Sequence, residues 1–140
     1  MRRTCAVVVV ALLAADLPAR AEDTRLEGAW KGVTYRIAGR DYPMEGIFIF
    51  TPKYFSSNVL FKLTNGPADD ANANGGPYTA DGKQIVFTQW VQIHLRPGDR
   101  KEPIFSMKGA PETASYEVNG DRLVITFPSK NRYVLQRLRD

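Results

Sequence analysis

The chain has 140 residues, of which 44% are hydrophobic, and its 19 basic and 15 acidic residues give a net charge of +4. This length suits a single domain, which buries roughly two-thirds of the surface that its unfolded chain exposes. The basic excess is small and forms no stripe of lysine and arginine, which argues against a nucleic-acid-binding surface. The composition therefore predicts one globular domain with no nucleic acid as partner.

The N-terminus has the three parts of a secretory signal peptide. Arg2 and Arg3 precede the apolar run Ala6–Ala15, and a small-residue cleavage motif ends at Ala21. The apolar run is about half of the roughly 20 residues that span a bilayer, so it is not a membrane anchor. We predict a signal peptide over residues 1–21 and a periplasmic or secreted protein whose mature chain has no transmembrane segment.

Removal of this segment changes the charge and the cysteine content of the domain that we place at residues 22–140. The segment carries three arginines and one aspartate, so the net charge falls from +4 to +2. It also carries Cys5, the only cysteine of the chain. A mature chain without disulfides must be held by its core, which fits a bacterial periplasmic protein better than a disulfide-rich secreted one.

After a possible first helical turn near residues 22–27, the remaining chain reads as short β-strands. Residues that are β-branched or aromatic fill the runs, and Gly, Pro, Asn and Asp fill the gaps, with hairpin signals at Asp81-Gly82 and Asn119-Gly120. The runs are Ala29–Ile37, Gly46–Thr51, Tyr54–Leu63, Lys83–Leu95, Ile104–Lys108, Ala114–Val118, Arg122–Phe127 and Arg132–Leu138. Eight or nine strands with short connections predict an all-β protein, a single antiparallel up-and-down barrel of about eight strands.

The stretch DDANANGGPYTADG, residues 69–82, resembles a calcium-binding loop. From Asp70 it reads D-x-N-x-N-G, with Asp81 at the twelfth position. A hand-type loop needs a helix on each side, whereas both sides here read as strand. We therefore interpret the stretch as a polar loop that ends in a hairpin, and predict neither a metal nor a cofactor.

The order of motifs resembles the small bacterial lipocalin-like domain family, a group of calycin-type barrels. LEGAWKGVTY carries a G-x-W motif at Gly28 and Trp30, and YVLQRL places Arg137 near the end of the chain. The segments between them that match are EGIFIFTPKYFSSNVL, GGPYTADGKQIVFT and SYEVNGDRLVITF. The resemblance implies a lipocalin-like barrel in which Trp30 plugs one end and Arg137 lies across its indole, both in structural roles. The segment Arg96–Ala114 departs from the family pattern, so the resemblance does not identify a ligand.

Alternation along the strands suggests an interior for a small apolar ligand. In the longest run, Ile85, Phe87, Gln89, Val91 and Ile93 share the more apolar face and are expected to point inward. The predicted ligand-binding residues are Phe87, Gln89, Val91, Tyr116, Ile125 and Tyr133. A barrel of about eight strands either holds one small ligand or fills its interior with side chains, and the sequence leaves both open.

Support for catalysis is thin, and no catalytic residue is predicted. The mature chain has no cysteine nucleophile and only one histidine, His94, so the first acid–base pair to consider is His94 with Glu117. Two alternatives to a carrier remain: a barrel enzyme of the isomerase or cyclase type, and a filled barrel that acts as a surface interaction module.

Basic residues gather around the divergent segment, at Arg96, Arg100, Lys101 and Lys108. Such a rim could attract an anionic head group, for example that of a fatty-acid-like ligand. The acidic residues interspersed there favour a solvated loop instead.

Overall fold

A computed structural model describes residues 23–62, 70–95 and 103–139. The predicted signal peptide, with Cys5, lies outside the described residues, as do Arg96, Arg100 and Lys101 of the basic rim. Within the described ranges, no helix has the length and apolar character needed to cross a membrane.

In the described residues, a 3₁₀ turn over Thr24–Leu26 leads into ten β-strands. They are β1 (Gly28–Ile37), β2 (Arg40–Phe50), β3 (Tyr54–Phe61), β4 (Asp70–Ala80), β5 (Gln84–Phe87), β6 (Val91–Leu95), β7 (Ile104–Met107), β8 (Glu112–Asn119), β9 (Arg122–Thr126) and β10 (Arg132–Arg137). Every pairing is antiparallel. The sheet runs from β3 through β2, β1, β10, β9, β8 and β5 to β4, and the pairing of β4 with β3 closes it into a barrel.

The ten strands form an eight-membered ring because two members are interrupted. The strands β5 and β6 both pair with β4, on successive stretches of it, and they act as one bent strand. Their neighbours β8 and β7 form the next bent strand, with β8 beside β5 and β7 beside β6. The prediction of an all-β, single antiparallel up-and-down barrel of about eight strands is confirmed.

The main element that the sequence analysis missed is β4. Asp70–Ala80, which we interpreted as a polar loop, is an extended strand paired with β3 along its first eight residues. The interpretation was wrong because Ala and Asn, which are uncommon in strands, alternate here in place of β-branched and aromatic residues, with the Asn side chains facing inward. An extended strand also lacks the curled backbone that a hand-type calcium loop requires.

An irregularity between β5 and β6 reverses the orientation of the later residues. The nitrogen of Thr88 donates to the carbonyl of Pro77, and the nitrogen of Trp90 donates to that of Gly75, both at 2.9 Å. Trp90 and Val91 are both exposed, at 51% and 44%, so the alternation slips by one residue there. The predicted inward orientation of Val91 is therefore wrong, because a bulge of this kind moves every later side chain to the opposite face.

One end of the barrel is closed by Trp30, which is fully buried. Its indole Nε1 donates to the carbonyl of Leu26 at 2.7 Å, and the Cζ atom of Arg137 lies 4.1 Å from the centroid of its ring. The guanidinium also donates to the carbonyl of Glu27 at 2.7 Å and to that of Arg25. Arg137 thus combines a cation–π contact with satisfaction of two carbonyls near the 3₁₀ turn, the arrangement that the resemblance implied.

A hydrogen-bond network anchors the 3₁₀ turn to the wall of the barrel through Asp23. Its Oδ1 accepts from the Nε of Arg25 at 2.8 Å, and its Oδ2 accepts from the hydroxyl of Tyr116 at 2.6 Å. That hydroxyl in turn accepts from the nitrogen of Gly82 at 2.8 Å. The hydrogen bonds from Arg25, with a further contribution from Tyr116, lower the pKa of Asp23 to about 2.

This lowered pKa makes the stability depend on pH in the acid range. Because the pKa of Asp23 is lower in the folded than in the unfolded chain, the ionised carboxylate stabilises the fold above about pH 4. That contribution is lost as the pH falls toward 2. We expect it to be on the order of 1–2 kcal/mol, since Arg25 is largely exposed and solvent weakens the pair.

Thermal unfolding midpoints between pH 2 and 5 measure this effect. The Asp23→Asn variant should lose less stability across this range than the wild type. Asp41→Asn, which removes an exposed carboxylate paired with Arg36, is the control and should leave most of the dependence in place. An Asp23→Asn curve parallel to the wild-type curve would contradict the assignment.

Candidate functional site

The interior of the barrel is filled in one half and hollow in the other. Buried side chains pack the closed half around Trp30; among them are Leu26, Phe50, Tyr78, Ile85, Tyr116, Leu123 and Leu135. The other half contains a cavity of about 200 Å³. An apolar protein cavity of about 150 Å³ is large enough to bind benzene, so this one suits a single ring with a short substituent.

Aromatic residues form a large part of the lining of the cavity, and we call this part the aromatic wall. They are Tyr35, Phe48, Phe55, Phe87, Phe127 and Tyr133. The ring centroids of Phe55 and Phe87 are 4.7 Å apart, and that of Tyr133 lies 5.1 Å from Tyr35 and 5.5 Å from Phe48. These are the spacings of aromatic rings in mutual contact, so the rings fix one another in place.

Hydroxyl and amide groups form a second wall, the polar wall, whose residues are Ser57, Asn72, Asn74, Gln89 and Gln92. Three of these lie in register across adjacent strands, since Asn74 pairs with Ser57 on one side and with Gln92 on the other. The Oδ1 atoms of Asn72 and Asn74 are buried, and neither accepts a hydrogen bond from the described part of the chain. A buried acceptor without a donor is uncommon in folded proteins, so these two oxygens call for an explanation.

The mouth of the cavity carries a carboxyl group, that of Glu112. It pairs with Phe87 on the neighbouring strand, and Ser129 and Asn131 line the same cavity from the turn between β9 and β10. Desolvation by the surrounding protein raises the pKa of Glu112, although part of its side chain remains exposed. Burial is also the main reason why the pKa of Tyr133 is raised.

Four of the six predicted ligand-binding residues lie at this cavity: Phe87, Gln89, Ile125 and Tyr133. Val91 lies on the outer face, for the reason given above. Tyr116 is buried in the closed half, where its hydroxyl bonds to Asp23 and Gly82. The role proposed for Tyr116 as a polar group for a ligand is therefore replaced by a structural one.

The structure does not bring His94 and Glu117 together. Glu117 is exposed on the outer face of β8. His94 lies two residues after Gln92 and shares the inward face of that residue. The carboxyl group that reaches the cavity is Glu112. Its position two residues before the buried Ala114 was the available signal, because residues two apart on a strand share a face.

The outer face of the barrel has a second concave region, which we call the outer groove. It has a volume of about 360 Å³ and lies over β3, β4 and β6. Small residues such as Ala71 and Ala73 form its floor, and Leu60, Ile93 and Leu95 line it. The groove opens on the outer face and the cavity on the inner face, and Asn72 of β4 lines both.

Comparison of the chain with protein-family models, with curated proteins and with solved structures finds no match.

Proposed function

We propose that this protein is a lipocalin-like binding protein that holds one small molecule in the open half of its barrel. The observation that carries the proposal is the lining of the cavity: it combines an aromatic surface with a row of polar groups in which the Oδ1 atoms of Asn72 and Asn74 have no partner among the described residues. A cavity with a few convergent polar groups is the usual form of a small-molecule site. The proposal that the protein is exported is supported by its N-terminal sequence. The proposal that it belongs to the lipocalin-like family is supported by the sequence motifs quoted above together with the barrel.

The composition of the cavity refines the expected ligand. The sequence suggested an apolar interior with three polar groups, those of Gln89, Tyr116 and Tyr133, whereas the polar wall alone has five polar side chains. A molecule with an apolar ring and a hydrogen-bonding end matches the two walls. A cavity only moderately larger than one that holds benzene suits such a molecule better than a long acyl chain.

Native mass spectrometry of the protein, purified after expression of the full-length chain, tests this proposal. We expect a mass increment that organic extraction removes, and the extract identifies the compound. In Ser57→Leu, a larger apolar side chain enters the cavity at a position that is only 2% exposed, and the bound fraction should fall by about tenfold or more. The matched control is Ser56→Leu on the exposed face of the same strand, which should retain the compound.

Absence of any co-purifying compound, combined with no uptake of small aromatic probes by the wild type, would overturn the proposal. Equal retention in the Ser56 and Ser57 variants would place the compound elsewhere. Incubating the extracted compound with the protein separates carrier from enzyme. If the compound is recovered unchanged, the result supports a carrier. If the compound is converted into a product, the result favours the isomerase or cyclase alternative, in which Glu112 is the carboxyl group at the cavity.

A further inference from the structure

We propose that the ligand of this cavity is a small organic amine, bound as an ammonium ion. Its N–H groups donate to the polar wall and to Glu112, and its apolar body packs on the aromatic wall. The inference rests on the proposed function and specifies its ligand class.

The polar wall holds two buried hydrogen-bond acceptors that have no donor among the described residues. The Oδ1 atoms of Asn72 and Asn74 are both buried and lack a donor, and the two residues share one face of β4 because they are two positions apart. A ligand that supplies N–H donors removes the penalty of leaving these oxygens unpaired, whereas a ligand with acceptors alone leaves it in place.

The charges and ring faces around the cavity also favour a cationic ligand. Among the described residues that line the cavity, Glu112 is the only one that carries a formal charge when ionised, and none is a lysine, arginine or histidine. The faces of aromatic rings are also electronegative, and six aromatic residues line the same cavity. A cation is therefore attracted by both the carboxylate and the rings, and a carboxylate is repelled by Glu112, with no lysine or arginine among the described lining residues to compensate.

The unpaired oxygens also distinguish between kinds of amine. A quaternary ammonium group has no N–H and satisfies neither Asn72 nor Asn74, although aromatic faces attract it. A primary ammonium group has three N–H donors, enough for both amide oxygens and a carboxylate, and a secondary one has two, enough for two of these three acceptors. Hydrogen bonds of this charge-assisted type are the strong ones. The site thus fits a primary or secondary amine that carries one aromatic or aliphatic ring.

Three probes that share one ring and chain but differ in the end group test the inference. They are phenethylamine, 2-phenylethanol and 3-phenylpropionate, titrated calorimetrically at pH 7 against the protein after extraction of any bound compound. We expect the amine to bind about tenfold or more tightly than the alcohol, equivalent to about 1.4 kcal/mol, and the carboxylate to bind most weakly. The N,N,N-trimethylated amine should bind more weakly than phenethylamine.

A matched pair of variants checks the role of the carboxyl group. Glu112→Gln should reduce the preference for the amine over the alcohol by about tenfold. Glu117→Gln removes the same charge from the outer face of the same strand and should leave that preference unchanged. A preference equally reduced in both variants would reflect the overall charge of the protein, and it would overturn the assignment to Glu112.

The outcomes separate the failure of this inference from that of the proposed function. If the alcohol or the carboxylate binds as tightly as the amine, the protein remains a small-molecule binder and the amine inference is overturned. If no probe binds and no compound is released by extraction, both are overturned.

Discussion

Replacement of Trp30 by alanine is expected to lower the free energy of unfolding by about 3–5 kcal/mol. The indole is fully buried, donates a hydrogen bond to Leu26 and lies beneath the guanidinium of Arg137. Its removal leaves a cavity at the closed end and takes away the surface on which Arg137 rests. For a domain of this size, the midpoint of thermal unfolding should fall by about 10–20 °C.

The control for this variant is the other tryptophan. Trp90 is 51% exposed and contacts mainly the ring of Tyr54, with centroids 5.5 Å apart, so Trp90→Ala should cost about 1 kcal/mol or less. Urea unfolding followed by circular dichroism measures both. Equal losses in the two variants would contradict the view that the closed end is built around Trp30.

Replacement of Gly76 by alanine is expected to cost about 3 kcal/mol or more, because the bulge between β5 and β6 leaves no room for a side chain there. A Cβ atom on Gly76 would lie 1.9 Å from the carbonyl oxygen of Thr88 and 2.9 Å from the nitrogen of Trp90. Both are backbone atoms, so the bent strand itself has to move. Since Gln89 and Gln92 flank this point, ligand binding should weaken as well.

Gly75 provides a matched control in the same strand. A Cβ atom at Gly75 meets the carbonyl oxygen of Phe55 at 3.5 Å, an ordinary contact, so Gly75→Ala should change the stability by less than about 1 kcal/mol. Chemical denaturation of the two variants gives the comparison. If Gly76→Ala is as stable as Gly75→Ala, the close packing of β4 against the bulge is not present in solution.

The barrel could be predicted from the sequence because most of its strands have the composition that is typical of β-strands. Runs such as Tyr54–Leu63 and Arg122–Phe127 carry β-branched and aromatic residues between turn-forming residues, and their number and spacing favour a closed sheet. The stacking of Arg137 on Trp30 came from the resemblance. In each case the information is local or lies in the order of motifs along the chain.

The cavity was harder to predict, for two physical reasons. In β4 the inward positions are Asn72 and Asn74 and the outward ones Ala71 and Ala73, so the usual apolar-inside alternation is missing from the strand that forms the polar wall. The bulge after Gln89 depends on pairing with two other strands and leaves no mark in the sequence of β5 and β6. Strand periodicity therefore placed Phe87 and Gln89 correctly but not Val91.

The central claim, that the open half of the barrel binds a small molecule, is tested most directly by nuclear Overhauser contacts from the three phenyl probes to assigned side chains. We expect contacts from the ring of the tightest-binding probe to Phe87 and Tyr133, which both line the cavity. Contacts only to Leu60 and Ile93 would place the probe in the outer groove and would contradict the claim, as would the absence of any contact with all three probes at saturation.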